Sequence, residues 1–238
     1  MVRVLITRPR DEALSVAREL TARGIDSAVE PLLDIRLRPA AALDLDHVQA
    51  VLVTSANGAR ALAQATDRRD VAVLAVGGAT ARAAKAKGFT RVESAEGTVA
   101  TLADAARAKL NPVGDPLLHV SGAAVAGDLA GDLTRAGFAV QRLVLYDAVA
   151  ASALSPATAE GLSRGAFDAV LLFSPRTATT FVSLVRQAGL ETAAAQMEAL
   201  CLSPAVAAAA RDLPWRRVRV ARQPSQQALL RLIGNEET

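Results

Sequence analysis

The sequence is poor in almost every residue that carries conspicuous chemistry. Among 238 residues there are one cysteine, two histidines, two methionines, one tryptophan, one tyrosine and five phenylalanines. The lone Cys201 excludes an intramolecular disulfide and a cysteine-rich metal site, and its neighbours Ala199, Leu200 and Leu202 point to a buried, inert thiol. His47 and His119 stand far apart with no acidic or histidine-rich cluster, so no metal is expected. There is no Walker loop, Gly77-Gly78 does not complete the dinucleotide fingerprint, and no serine sits in a nucleophile elbow. No apolar run approaches the ~20 residues of a membrane span. The opening Met1–Thr7 reads as a strand, without the charged and apolar segments of a signal peptide. A cytoplasmic protein without a membrane partner is therefore expected. The pI is about 9.6. Yet the net charge is only +3, and the arginines are scattered without interleaved aromatics, which argues against nucleic acid. Scattered positive charge suits a small polyanion instead.

What is abundant is small aliphatic residues, in a chain that is 51% apolar. Short runs (Val2–Ile6, Val51–Val53, Val71–Val76, Leu117–Val120, Ala169–Phe173, Leu200–Leu202, Val218–Ala221) alternate with segments of helical spacing such as Glu12–Ala22, Gly58–Ala65, Thr80–Lys87 and Thr177–Ala188. Gly24, Gly88, Gly137 and Gly189 fall where those helices should stop. Strand–helix alternation predicts right-handed βαβ units and parallel sheets. The pattern also repeats. Ala50–Asn57 resembles Ala169–Arg176, Val73–Thr80 resembles Ala199–Val206, and Arg91-Val92 with Ala100–Leu102 resembles Arg219-Val220 with Ala228–Leu230, at offsets drifting from 119 to 128 residues. A fourth unit, Glu19–Ile25 against Asp132–Phe138, comes first in one copy and last in the other. That order predicts an insertion: an outer domain of residues 1–35 plus 149–238, and an inserted domain of residues 36–148. Each would hold about five strands in flavodoxin-like order, joined by a two-stranded β linker at Leu33–Pro39 and Val144–Ala150, with the active-site cleft between them.

Ligands of open parallel sheets bind beyond the carboxyl ends of the strands. Those positions here are Thr7-Arg8-Pro9, Thr54–Asn57, Gly77–Thr80, Ser121-Gly122, Ser174–Arg176 and Ser203-Pro204: hydroxyls, glycines and helix N-termini. Free amides at helix N-termini bind carboxylates or phosphates, although the same serines and threonines also serve simply as helix caps. Tyr146, the only tyrosine, lies in the predicted return crossing. It reads either as a proton donor near the cleft or as a half-buried strand residue.

Taken together, Val4–Pro9, Val53–Asn57, Ala75–Ala81, Val144–Tyr146 and Phe173–Pro175 resemble the uroporphyrinogen-III synthase family in motif, order and spacing from the first strand to the last helix. The resemblance implies two flavodoxin-like domains and a cofactor-free, metal-free lyase. The implied reaction closes hydroxymethylbilane, a linear tetrapyrrole with many carboxylates, with loss of water and inversion of ring D. It implies Tyr146 as the catalytic proton donor, and Arg8, Thr54, Ser55, Gly77, Thr80, Ser121, Ser174 and Ser203 as substrate-binding positions. With no spare apolar face evident in the sequence, a monomer is expected, with transient contact with porphobilinogen deaminase. The chain departs from the family at Ser203–Ala207, where Gly-Pro-Thr-Thr-Ala is usual, and at Ser121-Gly122, where Arg-Gly is frequent. Two other readings remain at this point: a non-catalytic two-lobed ligand-binding protein, and a degenerate synthase that binds the bilane without turning it over.

Overall fold

Strands at the centre of a parallel sheet are covered by helices on both faces, so they are apolar without alternation. Ala50–Val53 (AVLV) and Ala169–Leu172 (AVLL) have every residue buried, and each forms the middle of one sheet in a computed structural model that describes residues 2–39, 42–125 and 127–234. In chain order the first elements are β1 (Arg3–Ile6), α1 (Arg10–Ala22), β2 (Asp26–Val29), β3 (Leu33–Leu37), β4 (Ala50–Val53), α2 (Ala56–Ala65) and β5 (Ala72–Ala75). Next come α3 (Gly78–Ala86), β6 (Arg91–Ser94), α4 (Val99–Lys109), β7 (Leu117–Gly122), α5 (Leu129–Arg135) and β8 (Val140–Ala150). The chain ends with α6 (Pro156–Ser163), β9 (Ala169–Leu172), α7 (Pro175–Gln187), α8 (Glu191–Ala194), β10 (Glu198–Cys201), α9 (Pro204–Ala210), β11 (Arg217–Val220) and α10 (Gln226–Leu230).

These elements divide into two compact units, Met1–Asp34 with Val149–Thr238, and Ile35–Ala148. In the discontinuous unit the sheet order is β2-β1-β9-β10-β11, all parallel. Counted by that unit's own strands, this is the flavodoxin-like order 2-1-3-4-5. In the continuous unit the parallel order is β8-β7-β4-β5-β6, with β3 added beside β8. It is the same sheet, with the strand pair that opens one unit placed last in the other. The 11-residue β8 pairs first with β7 and then with β3. The bonds Arg38 N–H to Leu145 O (2.8 Å) and Ala151 N–H to Leu32 O (3.0 Å) run that second ladder antiparallel. Arg38 clamps it by donating from Nε and Nη2 to the two carboxylate oxygens of Asp147, each at 2.8 Å. The hydrogen bonds from Arg38, then its charge, hold the Asp147 carboxyl below the usual range.

Alternate residues of each strand face opposite cores. Leu5, Val170, Leu172, Ala199 and Cys201 pack under Phe181 and Val185 of α7, while Val4, Ile6, Leu171 and Leu200 pack against Val16 and Leu20 of α1 and Leu229 of α10. The continuous unit repeats this with Val51, Val53 and Val73 on one face and Leu52, Leu74 and Leu117 on the other. Each such aliphatic side chain contributes roughly 1.5–3 kcal/mol on burial. Burial pushes the Cys201 thiol up to about 12, which leaves it unreactive. Among the described residues one acidic side chain is buried: Glu30 accepts from Ser155 N–H (2.9 Å), Ser155 Oγ–H (2.5 Å) and Thr158 Oγ1–H (2.5 Å), capping the first turn of α6. Gly24, Gly88, Gly137 and Gly189 each follow a helix with φ between 67° and 91°, the left-handed stop that only glycine adopts without cost.

His119, in the middle of β7, is 3% exposed, and neither ring nitrogen has a hydrogen-bond partner among the described residues. Desolvation, and then the charge of Arg142, lower its pKa to about 4. The unfolded chain, with an ordinary histidine, takes up this proton near pH 6.5. Below that value the unfolded state binds the extra proton, so stability present at neutral pH is lost as pH falls from about 6.5 to 4, in total roughly 3 kcal/mol. Urea unfolding measured across this window should therefore show falling midpoints, and His119→Leu should flatten that slope. An unchanged slope in the variant would assign the effect to another group.

Candidate active site

Parallel strands place all their carboxyl ends on one edge of a sheet, and the next helix starts there. In the continuous unit that edge carries Thr54 and Ser55 after β4, Gly77 before α3, Ser121 and Gly122 at the end of β7, and Tyr146 within β8. Ser55 is the N-cap of α2, its Oγ accepting from Gly58 N–H at 2.9 Å. Gly77 is the N-cap of α3, and Thr80 lies buried in that helix's first turn. In the discontinuous unit, Arg8 follows β1, Ser174 caps α7 by accepting from Thr177 N–H at 3.1 Å, and Ser203 starts α9 without a side-chain cap bond.

Two of these residues meet directly. The Tyr146 Oη and Ser55 Oγ are 2.8 Å apart, although β8 and β4 are not neighbours and β7 runs between them. Two local features allow the phenol to cross that strand. First, the β7–β8 register slips at the end of β7, where Ser121 faces Val144 but Gly122 faces Tyr146, so the bulged strand turns Tyr146 toward β4. Second, the ring lies over Gly122: a Cβ there would stand 2.8 Å from Tyr146 Cε2 and Cζ and 3.2 Å from its Oη. The tyrosine is buried except for 8% of its surface, with Val53, Val120 and Leu145 in the same apolar cluster. The arrangement is a phenol held by packing, with its oxygen tied to a capping serine at the mouth of a helix.

The remaining positions are placed differently. Ser121 is fully buried, and its hydroxyl accepts from Arg142 Nε at 3.0 Å. The Arg142 Nη2 also donates to the Gly122 and Ala123 carbonyls at 3.0 and 2.8 Å, so at this strand end the exposed group is the guanidinium. Arg8 is already engaged, with Glu12 through an ion pair, with Gln226 Oε1 at 3.1 Å and with the Phe173 ring 4.6 Å below its guanidinium carbon. Ser174 Oγ lies 2.8 Å from Thr177 Oγ1. Arg142 carries no distinguishing signal in the sequence, since it resembles any exposed charge at the start of an apolar strand; only the β7–β8 register reveals its partners. No group of three or more metal-binding side chains occurs among the described residues, and none of their helices is long and apolar enough to cross a membrane.

Comparison with known proteins bears on what this edge does. A family model described as uroporphyrinogen-III synthase HemD matches residues 15–231. The crystal structure of uroporphyrinogen-III synthetase from Helicobacter pylori is 14% identical, with 98% of each chain covered and a TM-score of 0.64. A mutant uroporphyrinogen III synthase from the extremely thermophilic bacterium Thermus thermophilus is 19% identical, covering 98% of this chain and 97% of that one with a TM-score of 0.54. At such identities the solved structures show a common fold. No curated protein matches the chain significantly by sequence.

Because Gly122 leaves no room for a methyl group under the ring, Gly122→Ala should displace Tyr146 and break its bond to Ser55. The expected cost is that of overpacking, about 1–3 kcal/mol, read as a lower urea midpoint, with the displaced ring visible in a crystal structure. Unchanged stability and an unmoved ring would contradict the packing described.

Proposed function

The chain belongs to the uroporphyrinogen-III synthase family, and on that premise we propose that it is an active synthase, a hydro-lyase that closes hydroxymethylbilane into uroporphyrinogen III. The observation that carries the reading is the Tyr146–Ser55 hydroxyl pair at the carboxyl edge of β4, in a chain matched by the family over nearly its whole length. It works in the cytoplasm as a monomer, on bilane released by porphobilinogen deaminase.

The chemistry is an orientation problem with one proton transfer. Tyr146 gives its phenolic proton to the departing hydroxyl of the bilane; the C–O bond breaks, water leaves, and an electrophilic azafulvene remains. Ring D attacks through its already substituted carbon, and the resulting spirocycle rearranges. The proton shed as the pyrrole regains aromaticity restores the phenol, so the chain ends unchanged. Proton donation of this kind contributes typically 10²–10⁴-fold, about 3–5 kcal/mol. Holding a flexible chain so that the substituted carbon attacks first decides the isomer, and it draws on many weak anchors rather than one strong one.

The substrate carboxylates supply those anchors. Backbone amides at the starts of α2, α3 and α7, those at Ser55 and Gly77 among them, and the hydroxyls of Thr54, Thr80 and Ser174 are the proposed partners, with a lesser part for Ser203. Arg8 joins them on exchanging its Glu12 partner for a substrate carboxylate, and Ser121 serves by fixing Arg142. Alanine and valine at Ala205 and Val206 cannot donate a hydrogen bond from their side chains, so binding at the start of α9 falls to Ser203 and backbone amides.

A coupled assay tests this. Porphobilinogen deaminase generates hydroxymethylbilane in situ, and the oxidised uroporphyrin isomers are separated by chromatography. The expected product is isomer III in excess, with Tyr146→Phe slowed by roughly 10²-fold while still yielding isomer III. Isomer I alone from folded protein would overturn the proposal.

A further inference from the structure

The internal repeat contains its own control experiment. Ser55 and Ser174 occupy equivalent positions, each capping the helix that follows the central strand of its sheet. Three residues on, the discontinuous unit has Thr177, and its Oγ1 meets Ser174 Oγ at 2.8 Å. The continuous unit has Gly58 at that place, and Tyr146 Oη meets Ser55 Oγ at the same 2.8 Å. The missing Cβ of Gly122 opens the path that the phenol fills, and Gly58, with no side chain, offers Ser55 no hydroxyl partner of its own.

We infer that Ser55 is a positioning residue for Tyr146: its Oγ–H donates to the Tyr146 oxygen, turning the phenolic proton outward and stabilising the negative charge left on that oxygen when the proton leaves. The inference rests on the synthase reading above. The direction follows from the contacts. Ser55 Oγ already accepts the Gly58 N–H at 2.9 Å, and accepting one hydrogen bond strengthens a hydroxyl as donor in the next. With the Ser55 proton on the Tyr146 oxygen, the phenol keeps its own proton for the leaving hydroxyl. After transfer, the phenolate is held by Ser55 and, through it, by the N-terminal amides of α2. Ser55 gives up no proton itself; only the Tyr146 O–H bond breaks. A threonine at residue 58 would offer Ser55 a competing partner, as Thr177 does for Ser174.

Tyr146 is the only tyrosine, so the Raman Fermi doublet of tyrosine, whose intensity ratio distinguishes an accepting from a donating phenol, reports this bond alone. The resting protein should show the accepting ratio, and Ser55→Ala should abolish it. In the coupled assay Ser55→Ala should lower kcat roughly tenfold with KM little changed, and Ser55→Thr should restore it. Ser55→Gly, which largely preserves the helix start, should behave as Ser55→Ala does. Adding Ser55→Ala to Tyr146→Phe should cost nothing further. A donating ratio in the resting protein, or a double variant slower than Tyr146→Phe by the full Ser55→Ala factor, would overturn the inference. Isomer I alone from the unsubstituted protein would instead sink the synthase reading, while the Raman ratio would still decide the direction of this bond.

Discussion

Everything distinctive about the candidate site depends on one close approach: the ring of Tyr146 against the backbone of Gly122. Residues on β8 and β4 are separated by a whole strand, and a side chain at residue 122 would stand between them. A glycine there and a register slip in the same place together let a phenol lie across the sheet edge and reach Ser55. Arg142 stiffens the crossing from beneath, because it holds the Gly122 and Ala123 carbonyls and the Ser121 hydroxyl at once. The phenol is thereby preorganised by packing, and little conformational freedom is left to be lost when a substrate arrives.

The two sheets show how one plan is turned to two ends. Both have a fully buried AVLV-type strand at the centre, a capping serine after it, and helices on both faces. In the discontinuous unit the serine closes a self-contained cap with Thr177. In the continuous unit β8 takes the place beside β7 that β2 has beside β1 in the other sheet, and the 11-residue strand carries Tyr146 to the end of the parallel ladder, opposite Gly122.

Central strands and the helices over them were legible because burial on both faces demands unbroken apolar runs, and because glycine ends those helices. Edge strands were less so. Strands β2 (DSAV) and β6 (RVES) have no fully buried residue, and no pattern in them distinguishes a strand from a loop. The serines and threonines at strand ends could be found from sequence, but not what each touches. Ser55 and Tyr146 are 91 residues apart, and their contact depends on strand order, a bulge and a glycine that reads as an ordinary turn residue. Nothing local in Val29-Glu30-Pro31 marks Glu30 as a buried helix cap, because its partners Ser155 and Thr158 lie 125 and 128 residues away.

The central claim is that the carboxyl edges of the strands hold the tetrapyrrole. Titrating 15N-labelled protein with uroporphyrinogen III and following the backbone amides tests it most directly. The account predicts that the amides of Ser55–Gly58, Gly77–Thr80 and the first turn of α7 shift first and most. Shifts confined to the opposite edges, around Gly24, Gly88 and Gly137, or to no amides at all, would contradict it.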